Sequence, residues 1–136
     1  MVSREMNAQI AAALVGILLL FTIPMALDVP INSTTNVGVL ALFYAVVFGG
    51  AHLYLALIEG DGGDFPVTAR WRTVLLVAGL ATLAVVGHGL MALTELSEQV
   101  IIGTASGISV LGILVYWYLE ARDGYREASP SNQGSI

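Results

Sequence analysis

Two histidines, His52 and His88, are the side chains best placed to do chemistry in this sequence, because each stands inside a long apolar stretch. An imidazole in such a setting can ligate a haem iron or a metal, relay a proton, or hydrogen bond across a helix interface. Bis-histidine haem ligation requires both rings at one depth. His52 lies about seven residues from the Glu59 end of its stretch, whereas His88 lies about fifteen from the same side of its own. On helices that difference is an offset of roughly 12 Å, so one iron is out of reach of both. A zinc or copper site lacks a third ligand nearby, and the chain has no cysteine. The reading taken is therefore no cofactor and no metal. Glu95 follows His88 by two helical turns, on the same face. His52, His88 and Glu95 are accordingly the candidates for a proton relay or for interhelical hydrogen bonding, with Thr82, Ser106 and Ser109 as hydroxyl partners.

The remaining polar residues suggest less. Glu59, Asp61 and Asp64 make an acidic, glycine-rich segment whose spacing does not match a calcium loop, and it reads as a solvated turn. Asn32-Ser33-Thr34 is a glycosylation sequon. There is no nucleotide loop, no catalytic triad and no pair of buried carboxylates. The chain reads as a non-enzyme with no catalytic residues.

Four apolar segments position these residues: 10–27, 37–58, 73–93 and 100–119. Each has the length that a helix needs to cross a hydrocarbon core of about 30 Å. Hydrophobic residues make up 57% of the 136-residue chain and charged ones 11%. A soluble domain carries about 25% charged residues, so this composition cannot wet a protein surface. Backbone groups in lipid must be satisfied within the segment, which predicts helices. Pro24, near the end of the first segment, removes one helical hydrogen bond. The connections are short, so consecutive helices are expected to be antiparallel neighbours. The predicted fold is an all-α membrane protein, with four transmembrane helices in an antiparallel up-down bundle over residues 1–122. Residues 123–136 form a polar tail, predicted to be disordered. A cleaved leader is the weaker reading of the first segment, whose exit is a poor cleavage site.

The arginines orient the bundle. Arg4, Arg70, Arg72, Arg122 and Arg126 all fall on one side of a four-span topology, which puts both termini on the cytoplasmic (or virion-interior) side. Trp71 and the Tyr116–Trp117–Tyr118 cluster would sit at the headgroups of that face. Asn32 falls on the outer side. Small residues repeat at helical spacing: Ala41, Ala45 and Gly49 before His52, and Gly103-xxx-Gly107 on the fourth helix. In lipid such stripes let helices approach closely, within the bundle or between proteins. The expected partners are thus the bilayer, further copies or larger membrane subunits. Nucleic acid is not expected, since no basic patch exists to neutralise phosphate.

Small multidrug transporters carry a glutamate within their first helix, but none lies here between Glu5 and Asp28. The asparagine pattern of fluoride channels is also missing. Anchors of succinate dehydrogenase are similar in size, yet the depth of the two histidines differs. With ten acids, five arginines and no lysine, the chain resembles membrane proteins of haloarchaea. In size, span count and charge it also resembles the small internal membrane proteins of their enveloped pleomorphic viruses (pleolipoviruses). That resemblance implies a structural or assembly role in a cell or virion envelope of a halophile. The alternatives are an accessory subunit of a redox or transport complex, or an independent transporter using His88 and Glu95.

Overall fold

The structure is a computed structural model that describes residues 3–30, 33–62 and 65–128, without the side chain of Asp61. Asn32, Asp64 and the end of the polar tail lie outside the described residues. Every regular element described is helical: α1 (Arg4–Leu27), α2 (Thr34–Glu59), α3 (Val67–Leu93) and α4 (Glu98–Glu127), with a short 3-10 turn at Gly60–Gly62. All four α-helices are long and apolar enough to span a membrane.

The helices outrun the apolar segments because local signals extend them. Ser3, Ser33 and Ser97 each turn a side-chain oxygen back onto the amide of Met6, Asn36 and Val100, satisfying a donor that the first turn leaves free. At the other ends, Asp28 adopts a left-handed conformation with φ of 49°, and Gly60 ends α2 with φ of 52°. α4 continues to Glu127, through the first residues of the segment whose composition suggests an irregular tail. Glu120, Ala121 and Arg122 are good helix formers, and Arg72 of α3 pairs with both Glu120 and Asp123.

α1 packs on α2, α2 on α3 and, less extensively, α3 on α4; no other pair of α-helices makes a comparable interface among the described residues. Small side chains set the spacing. Ala8, Ala12 and Gly16 recur every fourth residue along α1 and are its buried positions. They face α2, where Ala51 and Leu55 complete a cluster with Ala8 and Ala12. A Cβ placed on Gly16 would stand 2.8 Å from a Val47 methyl and 3.3 Å from Phe43. Between α2 and α3, a Cβ on Gly49 would meet Val77 at 3.5 Å.

Large apolar side chains point the other way. Leu14, Leu18 and Phe21 on α1, and Leu111, Val115 and Trp117 on α4, are each more than half exposed. So many large apolar side chains exposed together are rare on a monomeric soluble protein. Such a surface suits lipid, which solvates leucine as readily as another leucine does.

Gly16→Val should therefore disrupt the α1–α2 contact, because Val47 is β-branched and has little freedom to withdraw. Unfolding of the micelle-solubilised chain should show a loss of about 1–3 kcal/mol. Gly103→Ala, where a Cβ meets nothing within 4 Å, should leave stability unchanged or slightly raised.

Candidate functional site

The polar chemistry of the molecule gathers where α1 and α3 begin and α2 and α4 finish. Arg70, in the first turn of α3, is only 2% exposed. Its Nη2 donates to Glu5 of α1 at 2.6 Å and to Glu59 of α2 at 3.4 Å. Arg4 also pairs with Glu59, at 3.3 Å. One guanidinium thus ties three helices together, and the Phe65 ring lies 5.7 Å from its Cζ, within cation–π range. A second knot joins α3 to α4: Arg72 pairs with Glu120 and Asp123, and Arg122 with Asp123. Beside it, the Thr73 and Tyr116 hydroxyls are 3.1 Å apart.

His52 stands seven residues, about two turns, before Glu59 on α2. It borders a chamber of about 270 Å³ shared with Glu5, Gln9, Arg70, Thr73 and Tyr116. It also borders an apolar chamber of about 550 Å³ between α2 and α3, reaching Ala41, Phe48, Leu80 and Ala84. Two buried side-chain nitrogens lack a hydrogen-bond partner among the described residues, His52 Nδ1 and Arg70 Nε. Each such group is costly to leave unpaired in a low-dielectric setting.

His88 belongs to the opposite end. Its Nδ1 lies 3.2 Å from Thr34 Oγ1, in the first turn of α2. Thr82 and Ser109 instead bond backwards to the carbonyls of Ala78 and Ala105 within their own helices. Glu95 does not continue the face of His88, because α3 ends at Leu93 with Thr94 in an extended conformation. Glu95 is exposed in the connection to α4.

Of the packing residues, Ala41 and Gly49 are buried and Ala45 partly so, on α2 between its neighbours. Gly103 and Gly107 are exposed, and neither would bring a Cβ within 4 Å of another part of the chain. No group of three His, Asp or Glu side chains among the described residues is arranged to hold a metal ion.

Sequence reasoning treats the arginines as markers of orientation and Glu59 as part of a solvated loop. It misses that Glu5, Glu59, Glu120 and Asp123 are their partners. The signal is available: each of these acids falls at the same span ends as the arginines. No protein-family model matches the chain, and comparison with curated proteins and with solved structures finds no match.

Arg70→Met should cost roughly 3 kcal/mol, since it leaves Glu5 and Glu59 facing one another without their shared cation. Adding Glu5→Gln to that variant should recover part of the loss. Both are read from the unfolding midpoint in detergent, followed by circular dichroism.

Proposed function

We propose that this protein is a non-enzymatic integral membrane protein with a structural or assembly role in a cell or virion envelope. Its four helices run antiparallel across the bilayer, with both termini on the arginine-bearing, inner side. The observation that carries this reading is the pairing of an outward apolar surface with one end where the helices are joined by ion pairs. Ion pairs join the beginnings of α1 and α3 to the finishing turns of α2 and α4, as an up-down order requires. Arginine on one side only is what the positive-inside rule rewards, and it concerns positive residues rather than net charge, so the accompanying acids do not weaken it. The acidic, lysine-free composition supports a halophilic source.

Assembly is supported by α4. It packs on α3 alone to any extent, and its Gly103-xxx-Gly107 face is uncovered in the single chain. Small residues in that pattern permit close helix approach in lipid. A transporter acting through His88 and Glu95 has less support, since His88 is engaged by Thr34 and Glu95 stands beyond the helix.

The chain is free of cysteine, which makes its topology directly measurable. Single replacements Ser3→Cys and Ala128→Cys should resist a membrane-impermeant maleimide in intact cells and react after permeabilisation. Leu96→Cys should react in both conditions. The reverse pattern would invert the orientation, and reaction of all three in intact cells would end the four-span reading. For assembly, Gly103→Leu with Gly107→Leu should reduce energy transfer between labelled copies in vesicles at least fivefold; unchanged transfer would remove α4 as the contact.

A further inference from the structure

The two chambers that meet at His52 have opposite characters. The smaller holds Glu5, Arg70 and Glu120, but each of these charges is already paired, Glu5 with Arg70 and Glu120 with Arg72. It therefore has no surplus charge for an ionic headgroup. What it does have is two lining residues, Arg70 and His52, that each carry a buried nitrogen without a partner among the described residues, Arg70 Nε and His52 Nδ1. The first is a donor, and the second becomes one in the Nδ1–H tautomer. The larger chamber continues from the same histidine, and also from Thr73 and Tyr116, along apolar side chains of α2 and α3. Tyr44 and Phe48 on its wall are each more than half exposed, so it opens sideways toward lipid. Both chambers fall within or near the size range of small-molecule sites, which are mostly apolar with a few convergent polar groups.

The geometry points to a binding site for a neutral amphiphile whose carbonyl oxygen accepts from His52, with Arg70 Nε as the second donor, and whose apolar chain lies between α2 and α3. An anionic head is disfavoured because Glu5 and Glu120 border the same space with their positive partners already committed. A chain without an acceptor would leave both nitrogens unpaired. Two sources share the required chemistry, a quinone carbonyl with a prenyl or alkyl tail and the ester carbonyl of a neutral glycerolipid. Either would reach the site laterally from the bilayer. Nothing in this inference depends on the orientation of the chain or on its assembly through α4.

The test uses the full chain in detergent micelles, with quenching of Trp71 and Trp117 fluorescence by a decyl-substituted benzoquinone at fixed detergent. Saturable quenching is expected. It should weaken at least tenfold in His52→Phe, which keeps a ring and removes both nitrogens, and in Ala81→Phe, which fills the apolar chamber. His52→Gln, which restores a donor, should bind more tightly than His52→Phe. Val110→Phe, on an exposed part of α4, should bind as the parent does. If His52→Phe fails to fold, by helix content and unfolding midpoint, Ala81→Phe decides. Displacement by dioctanoylglycerol assigns the site to ester lipids as well, and its failure to displace assigns the site to quinones; both support a carbonyl-accepting site. Linear quenching that is the same in every variant would mean simple partition into the micelle and overturn the proposal. Stronger displacement by dodecanoate than by either neutral probe would overturn the neutral headgroup.

Discussion

The Arg70 guanidinium, held between Glu5 and Glu59, is the constraint around which the rest of the molecule is organised. A charge that is 98% enclosed would be prohibitive alone near hydrocarbon, and it is tolerated because carboxylates from α1 and α2 meet it together. The same contact sets the register of three helices. With Arg4 on Glu59 as well, the first turns of α1 and α3 are fixed beside the last turn of α2. Each helix has 24 to 30 residues, or roughly 36–45 Å at 1.5 Å per residue. That exceeds a hydrocarbon core of about 30 Å, so helices of this length can span one with their terminal turns, where the ion pairs and serine caps lie, to spare.

From that anchored end inward, polar contacts give way to close packing. Ala8, Ala12 and Gly16 bring α1 down on α2, and Gly49 brings α2 to Val77 of α3. This order has a physical logic. In lipid, apolar burial supplies no net drive for helix association, so small residues and a few polar links must do it. α4 departs from the pattern. Its link to α3 consists chiefly of the Arg72 pairs, the Thr73–Tyr116 contact and a few apolar approaches such as Leu76 toward Gly112. Among the described residues it makes the smallest interface of the four helices with the rest of the chain.

Much of the fold is legible in the sequence because hydrocarbon imposes a simple rule on length and polarity. The four helices fall where 10–27, 37–58, 73–93 and 100–119 are apolar, and only their ends differ. Those ends depend on Ser3, Ser33 and Ser97 as caps, and on the pairs of Arg72, which hydropathy does not register. The different depths of His52 and His88 are also readable from position alone, and their surroundings agree: Arg70 lines the same chamber as one, and Thr34 lies beside the other. The small-residue stripes are only half readable. Spacing identifies Ala41, Ala45 and Gly49 as a face, but the equally regular Gly103 and Gly107 meet nothing in this chain. Spacing reports that a face is smooth, and which neighbour covers it is a tertiary property. The Ala8–Ala12–Gly16 stripe shows the same point in reverse.

His52 is where these constraints leave something over. Arg70 needs carboxylates on two sides, and the spacing of α2 from α3 is set by Gly49 and Val77 below and by that ion-pair knot above. Between those fixed points α2 and α3 leave the apolar chamber of about 550 Å³ that His52 borders, about two turns from Glu59 along α2. His52 thus borders both a charge-balanced chamber and an apolar one, with its Nδ1 buried and unpaired among the described residues. The proposed ligand, supplying one acceptor and one apolar chain, would satisfy that nitrogen while leaving the pairs of Arg70 with Glu5 and Glu59 in place.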